Sequence, residues 1–200
     1  RKKDRVIESY DGFTSYLLVV DEVTKYAWLF LTKSKDPPLE TCRLFFKQFG
    51  NENGGIARVD QGGELARSED WRSMMLKEFN YVVEPTGADS PSQNGQVERY
   101  NGTLAATIRT LLYGADLPAK YWSAAALHAV YLMNRRVHST LKQTPFEAWW
   151  DRKPDLSSLR TFGSRVCVKV TGKRNAKLDR HDFSGIFIGY TATDDNIRYI

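Results

Sequence analysis

Two short apolar runs open the pattern. Ser15–Asp21 (SYLLVVD) and Tyr26–Thr32 (YAWLFLT) are rich in β-branched and aromatic residues and flank the polar Glu22-Val23-Thr24-Lys25, which predicts a hairpin of two antiparallel strands. Asp36-Pro37-Pro38 breaks the chain. Leu39, Cys42, Phe45, Phe46 and Phe49 then recur at three- and four-residue spacing until Gly50, the pattern of a capped amphipathic helix of about three turns. Ile56–Asp60 (IARVD) reads as a short buried strand ending in an acid, followed by the turn Gln61-Gly62-Gly63. Glu69–Phe79 has helical period, and Tyr81–Glu84 reads as a strand closed by Pro85.

Gly87–Gly95 is polar and rich in Gly, Pro, Ser and Asn, which predicts a loop. A long helix follows, with Val97, Leu104, Ile108 and Leu111 as one apolar stripe. The stretch from about Leu117 to Arg136 is nearly apolar throughout, as a packed core helix would be, and Thr144–Trp150 reads as a short helix. Arg165–Val170, Gly185–Tyr190 and Arg198–Ile200 look like strands with no helical period between them. This order predicts the mixed α/β class. A boundary near 151–158 separates a domain over 1–152 from a small β module over 158–200 that the end of the chain cuts short.

Composition narrows the class. The chain has 200 residues, 42% hydrophobic, with 29 Lys+Arg against 24 Asp+Glu, an ordinary globular balance. No apolar stretch approaches the ~18 residues of a membrane-spanning helix, so no membrane partner is expected. The start, Arg1-Lys2-Lys3-Asp4-Arg5, is not followed by the apolar body of a secretory signal, and the missing initial Met suggests a segment of a longer chain. Cys42 and Cys167 are isolated and His128, His138 and His181 are scattered, so neither a disulfide framework nor zinc is expected in this segment, and a reducing compartment is. Residues 1–150 carry 19 Lys/Arg and 18 Asp/Glu, whereas 151–200 carry 10 and 6, so the basic excess lies at the C-terminal end. A polyanion would feel that end most, although such a surplus is also common on solvated surfaces.

Two carboxylates sit where a regular element meets a Gly-rich loop. Asp60 ends a buried strand before Gln61-Gly62-Gly63-Glu64, and Glu98 follows Ser92-Gln93-Asn94-Gly95-Gln96-Val97. Glu98 is one step off the apolar stripe, which predicts a side chain at the rim of the core, facing a cleft. Converging acids of this kind supply the hard oxygen ligands that hold Mg²⁺ for phosphoryl transfer, with two metals roughly 4 Å apart activating the attacking oxygen and stabilising the leaving one. The same residues also fit plainer roles, Asp60 as a turn-forming cap and Glu98 as a first-turn acid favoured by the helix dipole.

The segments LLVVDEVTKYAWLFLTKSKD, VDQGGEL, PTGADSPSQNGQVERYNGTL, RTFGSRVCVKV and KLDRHDFSGIFIGYTAT, in this order, resemble the integrase of copia-type LTR retrotransposons over nearly the whole chain. The resemblance implies a ribonuclease H-like mixed sheet flanked by helices over 1–152, then a truncated SH3-like β-barrel. It implies a polynucleotidyl transferase that processes element DNA ends and joins them to target DNA, with an Asp, Asp, Glu triad on two Mg²⁺ or Mn²⁺ ions. Asp60 matches the second acid and Glu98 the third, with residues 61–97 between them, close to the family's usual gap. The first acid lies in the first strand of the family; here that neighbourhood is Arg1–Arg5, too charged for a buried strand. Asp4 is a poor match, Asp21 matches a turn residue outside the triad, and the first acid is expected upstream of residue 1.

The family's active-site loop matches Gly87–Gly95, where Asn94 and the glycines let backbone approach phosphate. Gly102 and Ala105 stand where retroviral relatives place DNA-contacting lysines, which leaves Arg99 and Arg109 as substitutes. Lys169, Lys173, Arg174, Lys177 and Arg180 suit phosphate contact by the C-terminal module. Arg135-Arg136-Val137-His138 offers a weaker DNA-facing edge; Trp122, Trp149 and Trp150 are expected to fill a core, and His128 to be a hydrogen-bonded core histidine. By resemblance the partners are DNA and further copies of the chain, acting in the nucleus and housed beforehand in cytoplasmic virus-like particles. The alternative is a decayed DNA-binding or assembly remnant, favoured by the missing first acid; a plain ribonuclease H-like nuclease leaves the C-terminal module unexplained.

Overall fold

The computed structural model describes residues 6–60, 63–86, 91–169, 182–191 and 196–200, with backbone alone for 60, 86 and 91–96. Two compact units divide the chain: Phe13–Leu17 with Phe30–Gly102, and Arg1–Gly12 with Leu18–Leu29 and Thr103–Ile200.

β1 (Ser15–Val20) and β2 (Ala27–Thr32) form the expected hairpin, bracketed by Thr14 N–H to Thr32 O and Asp21 N–H to Tyr26 O. Asp21 makes the turn: one carboxylate oxygen accepts from Thr24 N–H and Thr24 Oγ1, both at 2.7 Å, and from Val23 N–H.

The unit that includes residues 30–102 is built on α1 (Leu39–Phe49), β3 (Gly55–Asp60), α2 (Glu64–Arg67), α3 (Glu69–Phe79) and β4 (Tyr81–Thr86). Ser68 caps α3 by accepting from Trp71 N–H, and Asn80 ends it in the left-handed conformation that lets the chain reverse into β4. β3 and β4 pair in parallel, from Gly55 opposite Tyr81 to Asp60 opposite Thr86. One face of the pair, through Val59, Ala57, Tyr81 and Val83, packs on Cys42, Trp71, Met74 and Met75. The alternation of a strand places Ile56 and Val82 on the other face, where both are about half exposed.

β4 runs through Pro85 instead of stopping before it. It has one described neighbour, and an edge strand tolerates a residue without an N–H. α2 was not expected, and α4 (Pro91–Gly114) begins inside the predicted loop. Proline suits a first helical position because its missing N–H would have had no helical partner there.

In the other unit, Ala119–Tyr121 forms a 3-10 turn leading into α5 (Trp122–Arg135), later than the sequence pattern suggests. Ala124, Ala125, Ala126 and Ala129 are wholly buried along α5. α6 (Pro145–Trp150) carries a full capping box between Thr144 and Glu147. β5 (Arg165–Lys169), β6 (Asp182–Tyr190) and β7 (Ile197–Tyr199) form an antiparallel sheet in that order. Phe162 and Ile188 share a core with Leu112, Ala124 and Ala125. Gly163 makes that closeness possible: its φ is +86° and an added Cβ would lie 2.3 Å from the Cβ of Ala115.

Among the described residues two two-stranded sheets stand where one mixed sheet is expected, and the three-stranded sheet of the C-terminal module closes no barrel. Each of the first two sheets has only two strands, so the pairing that would join them is absent from the described chain.

Deep in the second-described unit, Asn134 is 3% exposed and Ala27 2%. Ala27 N–H donates to Asn134 Oδ1 at 2.9 Å, and Asn134 Nδ2 donates to Ala27 O at 2.8 Å. Asn134→Ala is therefore expected to leave two buried backbone groups unsatisfied and to lower unfolding free energy by roughly 2–4 kcal/mol in denaturant titrations. A loss below about 0.5 kcal/mol would show that water replaces the amide.

Candidate functional site

Asp60 closes β3 level with the end of β4, so it stands at the carboxyl end of a parallel pair. Ligands gather at such ends because the strands deliver short turns and helix starts there. Glu98 is the eighth residue of α4, in the same compact unit. Three residues on, Asn101 accepts a hydrogen bond from Tyr16 Oη of β1 at 3.4 Å. Residues at i and i+3 share a helix face, so this bond turns the Glu98 face of α4 toward β1. Burial raises the Tyr16 pKa, keeping the phenol a donor. Sequence reasoning missed Tyr16 and Asn101; the only signal was the spacing of Asn101 from Glu98.

Glu98 is exposed and does not sit at a covered rim, and Val97 is 41% exposed, not part of the buried stripe. Among the side chains of α4 that are described, Val97, Glu98 and Arg99 are exposed, Tyr100 and Asn101 are half-buried, and Leu104 is fully buried. On the same face a Cβ added at Gly102 would meet nothing within 4 Å. Among the described residues the Glu98 side chain is exposed, as a ligand-binding acid needs. Among the described residues no three His, Cys, Asp or Glu side chains gather in a metal-holding group.

Arg99 and Arg109 are both exposed on α4 and form no ion pair among the described residues. Asn94 lies in the first turns of α4, not in a loop. Lys169 is exposed at the end of β5. Asp4, Lys173, Arg174, Lys177 and Arg180 fall outside the described residues. Arg135 is no free edge cation: its guanidinium lies 3.5 Å from the Tyr131 ring centroid and 4.9 Å from that of Phe146. Trp149 packs against Tyr26 and Trp28, while Trp150 is 43% exposed and so only partly fills a core; Trp122 Nε1 donates to Ile7 O.

His128 is buried on α5, among the rings of Tyr131, Phe162, Phe187 and Tyr190. Contrary to the expectation of a hydrogen-bonded core histidine, its Nδ1 has no partner among the described residues. Aromatic walls supply no acceptor, and burial pushes the pKa down to about 4. The unfolded chain, with an ordinary value of 6.5, takes up the proton first as pH falls. The neutral imidazole's stabilisation is thus complete above pH 6.5 and is lost progressively as pH falls to about 4, by about 3 kcal/mol. His128→Phe is expected to flatten the melting temperature profile over that range relative to the parent; parallel profiles would show that this histidine is not the source.

No family model matches the chain. It is 30% identical over 188 residues to the retrovirus-related Pol polyprotein from transposon TNT 1-94 of Nicotiana tabacum, covering 92% of this chain and 14% of that polyprotein. It is also 30% identical over 191 residues to the corresponding polyprotein from transposon RE1 of Arabidopsis thaliana, covering 94% and 13%. The chain is a relative of the retrovirus-related Pol polyproteins of transposons. It spans about one seventh of the length of these Pol polyproteins.

Solved structures agree on the fold of this Pol segment. A chain of the simian T-cell lymphotropic virus intasome in complex with the PP2A regulatory subunit B56 gamma superposes with a TM-score of 0.53 at 14% identity, over 92% of this chain and 68% of that one. The HTLV-2 integrase catalytic core domain, a trimeric form in complex with magnesium, gives 0.50 at 18% identity, over 70% and 88%. The fold is thus a mixed α/β fold resembling the retroviral integrase catalytic core.

Proposed function

We propose that this chain is the catalytic region of a transposon integrase, a metal-dependent polynucleotidyl transferase that trims element DNA ends and joins them to target DNA. The observations that carry the reading are Asp60 at the carboxyl end of a parallel strand pair and Glu98 exposed on α4 in the same compact unit. The Pol relatives and the magnesium-bound HTLV-2 core support it.

Both carboxylates fit a hard divalent cation, Mg²⁺ or Mn²⁺, by donor chemistry. When bound, such ions supply charge for an in-line attack by water or a DNA 3′-hydroxyl on a phosphodiester. Asp60 and Glu98 then hold and orient the cations, and Arg99, Arg109 and the backbone around Asn94 grip phosphates. A ligand set of two acids is incomplete. By the family resemblance a third acid completes it. Residues 158–200 act as an SH3-like module whose Lys169, Lys173, Arg174 and Lys177 contact DNA backbone, and the protein works as an oligomer in the nucleus.

In the polyprotein's full integrase region, Asp60→Asn and Glu98→Gln are each expected to cut strand joining of a labelled element-end oligonucleotide by about three orders of magnitude, with the melting temperature unchanged. The double variant is expected to be no worse than either single one, and chelation to abolish joining. Joining retained by either single variant sinks the assignment. One other reading, a decayed DNA-binding remnant, rests on the sequence matching only two of the family's three acids. That reading gains if the unaltered full region binds DNA salt-sensitively yet joins nothing with either metal.

A further inference from the structure

The unit that includes residues 103–200 holds a second group of side chains, on which none of the chemistry above draws. The segment before β1 is fastened down: Tyr10 N–H donates to Lys120 O at 2.8 Å, and Asp11 Oδ1 accepts from Ser9 Oγ at 2.7 Å and Ser123 Oγ at 2.6 Å. This fixes the Tyr10 ring with its centroid 4.9 Å from that of Tyr121, the planes 39° apart. A cation stands at each end. Lys120 Nζ lies 5.4 Å from the Tyr121 centroid, and Arg198 Nη2 donates to Tyr10 Oη at 2.9 Å. The same Nη2 reaches Asp11 Oδ2 at 3.4 Å.

The charges here are not used up. Lys120 forms no ion pair among the described residues, and Arg198 Nε and Nη1 meet no acceptor among them. Tyr10 is 37% exposed, so ring surface is open as well. In the sequence, Arg1, Lys2, Lys3 and Arg5 directly precede this segment. Tyrosine rings held rigid by neighbouring hydrogen bonds lose little entropy when a base stacks on them, and the unpaired Lys120, with the free nitrogens of the Asp11-paired Arg198, takes the flanking phosphates. A duplex interior keeps its base faces stacked, so the matching ligand is a single strand or a frayed end.

We infer that Tyr10, Tyr121, Lys120 and Arg198 form a contact site for single-stranded nucleic acid, separate from the Asp60 and Glu98 carboxylates. The inference shares with the proposed function the premise that the chain binds nucleic acid, but it does not need strand joining.

The test is fluorescence anisotropy of the chain with a labelled oligothymidylate of about 15 nucleotides, the same length of abasic strand, and a duplex, without metal. Tyr10→Leu is expected to weaken oligothymidylate binding about fivefold or more and to leave the abasic strand unaffected, because only a base can stack. Lys120→Gln, a change at an exposed side chain, is expected to weaken both strands and to reduce the slope of log K against log salt by about 0.7. Lys47→Gln, on α1, is the charge control, and melting temperatures check folding. Binding by Tyr10→Leu and Lys120→Gln equal to the parent's overturns the site and leaves the integrase reading standing. So does an equal loss in Lys47→Gln, which would mean charge without a site. Failure of the parent to bind any of the three probes defeats both readings together.

Discussion

The buried amide of Asn134 is the bond on which half of the structure depends. It gives Ala27, at the start of β2, a donor and an acceptor that no described strand supplies on that side. A backbone pair buried without partners costs several kcal/mol, so α5 is fixed against β2 by polar necessity as much as by its apolar face. Once α5 is fixed, its other contacts follow. The alanines at 124, 125, 126 and 129 let neighbours come close, Phe162 and Ile188 fill the space, and Gly163 turns the chain where any side chain would strike Ala115. The RTFG segment is thus a packing motif, in which the phenylalanine is buried because the glycine beside it permits the approach.

The carboxylate-bearing unit is organised by a different constraint. A parallel pair such as β3 and β4 leaves half its backbone groups facing outward on each edge, and two strands alone are marginal. α1 and α3 cover one face through Cys42, Trp71, Met74 and Met75, while Ile56 and Val82 remain half exposed on the other. An arrangement with open edges and apolar side chains still in water is one that a further strand would complete. The carboxyl end of this pair is where Asp60 stands, so the element that completes the sheet and the element that completes the site need not be different.

Legibility in the sequence tracked the range of the interactions. Leu39–Phe49 and Glu69–Phe79 were readable because capping and i, i+4 spacing are local, and the hairpin because Asp21 closes its turn within three residues. The start of α4 was not, because Gly, Pro, Ser and Asn look like a loop, while Pro91 favours a first helical turn. Val97 fits the periodic stripe yet is exposed, since periodicity says which face a residue is on and not how far along the helix the core extends. The same limit misplaced Glu98 at a covered rim. Asp60 and Glu98 stood out by local pattern, but Tyr16 and Asn101, 85 residues apart, could be joined only by the fold.

Charge explains why carboxylates and cations are kept in different stretches of the chain. Residues 51–100 hold five Lys/Arg and nine Asp/Glu, whereas 101–200 hold fifteen and eight. A stretch with that acidic surplus repels a phosphate backbone until divalent cations neutralise it, so under the proposed function its affinity for nucleic acid is conditional on metal. The basic stretch has no such condition. Lys120 and Lys169 attract phosphate at any metal concentration, and their attraction fades only with salt. Under the proposed function the chain thus largely separates holding a strand from acting on it, with Arg99 beside Glu98 as the exception: the first responds to ionic strength, the second to a divalent ion.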